Sequence, residues 1–264
     1  MRALRTWYAQ RSLTLALTRR EIEGRYRGSI LGVLWSFLNP LILMLIYTVI
    51  FSFVFKMNWS EEYQGFGIFA LMLFCGLIPF NFLGEVLGKG PRLIVNCPNY
   101  VRRIAFPVEI LPVVAVNSAL FHALISTAIL LAGVLLIHGS LPLTVLLLPL
   151  LWIPYYVFMI IVAFTTATIG VFIRDIEHIA GLLMSVLFFA TPIFYSLDRV
   201  PESWRWLVHL NPVADMAIGI RQVAIYGVIP DLSLWGWFSV CSILLLAAVL
   251  AWFEIIKRRF ADVV

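Results

Sequence analysis

An all-α integral membrane fold with six transmembrane helices is predicted by three features of the sequence. These are its apolar composition, the length of its apolar runs and the one-sided placement of its positive charge. Of 264 residues, 62% are hydrophobic and only 12% charged, and mean hydropathy is +0.98. Soluble domains run near about 45–50% apolar and about 25% charged, so composition alone excludes a soluble enzyme or binding domain. The first ~29 residues are rich in arginine and lack the long apolar core and small-residue cleavage site of a signal peptide. Insertion is therefore expected to rely on the first spanning helix.

The elements follow in order. Residues 1–29 hold seven arginines interleaved with Leu13, Leu15, Leu17, Ile22 and Tyr26, which reads as an amphipathic helix on the inner membrane surface. Gly24, Gly28 and Gly32 recur every fourth residue. That spacing suits either a small-residue helix face for close backbone approach or turns. A span needs ~20 apolar residues to cross ~30 Å of hydrocarbon. Spans are predicted at about 30–55 (with Pro40 inside), 66–87, 108–137 and 143–173. A fifth run, 179–195, barely reaches. The segment 197–232 is broken by Pro201, Pro212 and Pro230, and two short amphipathic helices fit it at about 204–210 and 214–225, lying at or dipping into the outer interface. The last span is 234–256, followed by a basic tail, 257–264. The six-helix domain is thus 30–256, with a polar loop at 88–107.

Charge sets the orientation. Seven Lys/Arg precede the first span, Lys89, Arg92, Arg102 and Arg103 lie in the second-to-third loop, Arg174 in a later turn, and three follow the last span. That places fifteen on the side of the termini, against Lys56, Arg199, Arg205 and Arg221 on the other. By the positive-inside rule both termini are cytoplasmic. The net charge of +5 is accounted for by these loops, and nucleic acid is not implied.

No catalytic or metal chemistry is visible. Gly84-Glu-Val-Leu-Gly88-Lys89-Gly90 has three residues between its glycines and a glycine after the lysine. A P-loop needs four, then Ser or Thr, after a strand. ATP and magnesium are therefore expected on a separate chain, and this one should bind no cofactor. The four histidines are scattered without metal spacing, and Cys75, Cys97 and Cys241 form no CxxC pair. Glu85 and Glu109 sit near helix ends, where a carboxylate either reaches water or serves a function at membrane depth. Tyr47, Phe51 and Phe55 form one stripe on the first span, and Phe188, Phe189, Phe194 and Tyr195 cluster at the end of the fifth run. Lipid contact, helix packing, an interfacial aromatic belt and a stacking surface for sugar rings all remain open for them.

The motifs resemble a known family. Arg20-Glu-Ile-x-x-Arg25-Tyr26-x-x-Ser29-x-Leu31-Gly32-x-x-Trp35-x-x-x-x-Pro40-Leu41 is similar to the N-terminal signature of ABC-2-type permeases that export polysaccharides. So is Leu93-Ile94-x-Asn96 followed by Val101-Arg102-Arg103-Ile104-x-Phe106-Pro107-x-Glu109-x-Leu111-Pro112. Arg174-Asp175, Thr191-Pro192-Ile193-x-Tyr195, Asn211-Pro212 and Arg221 continue the pattern. The family includes exporters of O-antigen, capsule and teichoic acid, and the chain looks most like the O-antigen permeases.

The resemblance implies a homodimer bound to two copies of an ABC ATPase, exporting a lipid-linked polysaccharide across the bacterial inner membrane. It implies a coupling helix between Leu93 and Arg103, with Leu93, Ile94, Asn96, Tyr100, Val101, Arg102 and Arg103 meeting the ATPase. Arg174 and Asp175 would support that docking, and 197–232 would act as the exit gate. Arg25, Tyr26, Arg27, Trp35, Tyr47, Phe51, Phe55, Phe188 and Tyr195 are candidates for the substrate path or lipid-carrier contact. For the basic residues among them, carrier diphosphate, anionic lipid headgroups and simple topology setting stay open. A drug or small-lipid permease is the alternative within transport. A membrane glycosyl- or acyltransferase is the alternative outside it, and it would need clustered carboxylates or histidines on polar loops.

Overall fold

In hydrocarbon every backbone N–H and C=O must be bonded within the protein, so apolar runs of this length fold as helices. The computed structural model describes residues 9–54, 59, 65–98 and 106–263, among which no strand occurs. Helix α1, Arg11–Tyr26, leads to α2, Trp35–Val49, which short 3-10 and π turns extend to a span Gly32–Val54. Then come α3, Phe66–Lys89, α4, Ile110–His138, α5, Leu148–Phe172, and α6, Ile176–Ala190. Two short helices, α7, Glu202–His209, and α8, Pro212–Arg221, precede α9, Leu232–Ile256. The spans of α2, α3, α4, α5 and α9 are long and apolar enough to cross a membrane; α6 is apolar but shorter.

Helix α3 is the hub. Its apolar window is 72% buried, whereas that of the first span is 6% buried. It packs against α2, α4, α5, α6 and α8, while α5 lies along α9. Phe164 and Phe253 join the latter pair edge to face, with centroids 4.9 Å apart. Asp231 caps α9 by accepting from the Ser233 and Leu234 amides. Those bonds, with one from the Ser233 hydroxyl, hold its carboxyl below the ordinary range.

One end of the molecule is basic. It gathers 90–98, the Arg174–Glu177 turn and Lys257, tied by Arg92 to Glu177 at 2.6 Å and Lys257 to Glu109 at 3.1 Å. Helix α1 lies at this end against α4. Its buried side carries Thr14, Thr18 and Tyr26, with Leu13, Leu17 and Ile22 half-buried beside them and Leu15 left outside. The threonine hydroxyls donate back to Gln10 O and Thr14 O, which removes the cost of burying them.

The fifth run shows why the sequence made it marginal. At 15 residues α6 rises ~22 Å, less than the ~30 Å of hydrocarbon. The chain continues without helix through Thr191, Pro192, Ile193 and Phe194, all buried. Non-helical backbone at that depth is tolerated where protein surrounds it, and α8 supplies the partners. Asn211 Nδ2 donates to Thr191 Oγ1 at 2.9 Å, and Arg221 Nη2 donates to Ile193 O at 3.3 Å.

The structure decides between the two roles left open for the glycines and corrects the placement of one arginine. Gly28 and Gly32 have φ of +85° and +51° and lie beyond the end of α1, and a Cβ on Gly24, Gly28 or Gly32 would meet nothing within 4 Å. Gly28 and Gly32 make turns, because only glycine adopts that backbone freely, while Gly24 stays within α1 with no close neighbour. Arg221, counted among the charges of the outer side, is fully buried inside the fold. Its guanidinium sits 4.3 Å above the Trp59 ring, and its Nε donates to Met72 O at 3.0 Å.

Candidate functional site

A cavity of about 820 Å³ opens where α1, α2, α3, α4 and α6 converge toward the basic end. Helix α1 contributes Arg25 and Tyr26, α2 Trp35 and Asn39, α3 Asn81, Glu85 and Lys89, α4 His122 and Ser126, and α6 Met184. One part of its wall is charged and hydrogen-bonding. The rest, including Ile42, Leu43, Ile78, Phe80 and Phe82, is apolar. A volume of this size suits a headgroup with a few adjoining units, since ligand sites run about 300–1,000 Å³. A whole polymer does not fit.

The polar wall is a network centred on Glu85. Arg25 Nη1 donates to its Oε1 at 2.5 Å and Lys89 Nζ reaches the same oxygen at 3.2 Å. His122 Nδ1 lies 2.9 Å from Oε2. Lys89 also donates to Glu21 Oε1 at 2.9 Å, tying α1 to α3 a second time. The carboxylate at Nδ1 selects the tautomer with the proton there, so the 3.2 Å approach of Arg25 Nη1 to Nδ1 is proximity and no bond. Nε2, on the other side of the ring, lies 3.0 Å from Tyr26 OH. Glu85 and Glu109 are thus paired, and neither depends on water: Glu109 is buried, with Lys257 Nζ on its Oε1.

Of the nine residues expected along a substrate path, Arg25, Tyr26 and Trp35 line this cavity. Arg27 is exposed just past α1 and does not line it. Tyr47, Phe51 and Phe188 form a separate aromatic cluster around buried Phe194. Phe51 stacks on Phe194 with centroids 4.1 Å apart, and Phe188 meets Phe194 at 5.0 Å and Tyr47 at 6.1 Å. Phe80 lines the cavity and contacts Phe188 at 5.4 Å, so the two regions are continuous. Tyr195 turns its hydroxyl back onto Phe189 O at 3.1 Å. Phe55 lies outside the described residues.

At the basic end, 90–97 is a run of tight turns closed by Leu93 N to Gly90 O, Asn96 N to Arg92 O and Cys97 N to Ile94 O. Asn96, Arg174 and Asp175 are exposed, and Leu93 is half-buried. Ile94 has no exposure and belongs to the core, so it anchors the loop from within. Tyr100, Val101, Arg102 and Arg103 lie outside the described residues.

Sequence reasoning passed over His122, Lys89, Asn39 and Asn81. Glu85 and Lys89 stand four apart at a helix end, and His122 interrupts an apolar run. Ionisable groups at such depth are costly unless used. Those two signals were sufficient to flag the network.

With the geometry in place, comparison with known proteins decides the family. The model of the ABC-2 type transporter family matches residues 12–225. The chain belongs to that family. It is 31% identical over 265 residues, 99% of both chains, to the O-antigen export system permease protein RfbA of Myxococcus xanthus. It is 26% identical over 253 residues to a protein of the same name from Klebsiella pneumoniae, covering 95% and 94% of the two chains. The inner membrane transport permease YadH of Escherichia coli K12 is 33% identical over 94 residues, 34% of this chain and 35% of that one. As an ABC-2 permease the chain is a multi-pass membrane subunit of an ABC transporter, and the cavity is on the part of the chain that the family model matches.

Proposed function

We propose that this ABC-2 permease exports a lipid-linked polysaccharide of the O-antigen class across the bacterial inner membrane. It acts as a homodimer, with both termini cytoplasmic and two ATPase chains supplying ATP and magnesium. The observation that carries this reading is the cavity. Its charged wall suits an anionic headgroup and first sugars, its apolar wall suits an acyl chain, and α2 and α6 border it. Those two helices have little cover of their own: α6 buries only Ala180. A second copy placed against them would turn two half-paths into one channel, with Phe80, Phe188 and Phe194 leading outward from the cavity. Fifteen of nineteen Lys/Arg lie on the side of the termini, which supports cytoplasmic termini. The names of the full-length relatives in Myxococcus and Klebsiella support O-antigen as the cargo.

In this reading 93–103, with Arg174 and Asp175 beside it, docks the ATPase. Helices α7 and α8, tied to each other by His209 and Asp215 at 2.6 Å, form the exit gate. Arg25 and Lys89 hold the anion. Charged hydrogen bonds are each worth about 1.5–3 kcal/mol, so Arg25→Ala with Lys89→Ala should lower surface glycan about tenfold or more at unchanged permease levels. Lipid-linked glycan should accumulate inside the cell. Parental surface glycan in that double variant would remove the cavity from the path.

A further inference from the structure

The loop at the basic end packs directly against α5. A Cβ on Gly90 would lie 2.1 Å from Thr166 Oγ1, and one on Gly170 would lie 2.0 Å from Pro91 O and 2.7 Å from Pro91 Cα. Thr166 and Gly170 are four residues apart, on one face of α5. The Pro91 backbone is therefore seated at Gly170, and the Thr166 side chain at Gly90. Gly88, two residues earlier, has open space instead. Arg92, the next residue of the loop, is tied to Glu177 at 2.6 Å beyond the same end of α5.

The other end of α5 reaches the segment before the last span. A Cβ on Gly219 of α8 would lie 3.1 Å from Leu151 Cδ1 and 3.1 Å from Trp235 Cζ2. Leu151 to Gly170 is ~28 Å along the helix axis, the full depth of the hydrocarbon. Between these ends α5 is stiffened along α9 by the Phe158–Phe238 and Phe164–Phe253 pairs. One helix thus touches the loop at one end and α8 at the other.

We propose that α5 is the strut that transmits movement of the coupling loop to the exit gate. Gly90, Pro91, Thr166 and Gly170 form its inner joint, and Leu151 and Gly219 its outer one. This rests on the reading that 93–103 docks the ATPase and that α8 belongs to the gate. Loop and helix move together because packed interfaces do not deform continuously. A side chain added at the joint forces it apart without touching the docking residues.

The test uses the complete permease–ATPase complex and measures glycan exported per ATP hydrolysed. Gly90→Ala is expected to keep ATPase binding and hydrolysis near the parental level while the export yield falls about tenfold, within the ~5–150-fold range of coupling between sites. Adding Thr166→Gly removes the side chain that the new methyl meets and should restore most of that yield. Leu151→Ala, which loosens the outer joint and touches no loop residue, should uncouple in the same way and serves if Gly90→Ala fails to accumulate. Parental yield in Gly90→Ala, or in Leu151→Ala where that variant stands in, overturns the strut. So does failure of Thr166→Gly to restore yield at normal protein levels. If the parental complex exports no glycan, the functional reading and the strut fall together; if it does and the variants match it, only the strut falls.

Discussion

Replacing Arg221 by alanine is expected to destabilise the permease by about 2–4 kcal/mol. The guanidinium is buried and donates to Met72 O and Ile193 O while stacking on Trp59. Its loss removes two charged hydrogen bonds of ~1.5–3 kcal/mol each and a desolvated cation–π contact of ~2 kcal/mol. It also leaves a void. Relief of the cation's desolvation offsets part of this, which brings the net figure below the sum. Gly76→Ala should act in the same direction by about 1–3 kcal/mol, because its Cβ would fall 3.0 Å from both Arg221 Nη2 and Ile193 Cα. The two share one contact, so the double variant should cost less than the singles added together. Denaturant titration of the purified protein measures all three. Parental stability for Arg221→Ala would show that α8 is held in place by other contacts.

The second large effect is expected from Arg102→Glu combined with Arg103→Glu. If these residues meet an acidic groove on the ATPase, reversal places like charges together. Like-charge juxtaposition at an interface costs several kcal/mol, so about 3 kcal/mol, or about 100-fold in affinity, is expected. Membrane insertion should be unaffected, since the residues lie between spans. Co-purification of the ATPase and surface glycan should both collapse. Normal export in that double variant would sink the docking assignment.

The spans were legible because their signal is local. Runs of ~20 apolar residues can satisfy their backbone in lipid only as helices, and the proline-broken stretch before the last span became the two short helices it suggested. Pairing between distant segments was not legible. Glu85 finds Arg25 and His122 across separations of 60 and 37 residues, and Glu109 finds Lys257 across 148. No periodicity reports such partners. The glycines carry the same lesson. Gly24, Gly28 and Gly32 share a spacing that suits a packing face, yet two of them have positive φ and none has a near neighbour. Gly90 and Gly170, eighty residues apart, share no pattern and meet their neighbours closely. Arg221 reads as a surface charge in any count of loops, and only the three-dimensional fold reveals the carbonyls and the indole that receive it.

Export of a lipid-linked polysaccharide is tested most directly by deletion of the permease gene followed by fractionation of surface and cytoplasmic glycans. A long glycan should vanish from the surface and accumulate inside on its lipid carrier. Unchanged glycan in both fractions would contradict polysaccharide export and favour a drug or lipid permease, and loss from both would point to a biosynthetic enzyme.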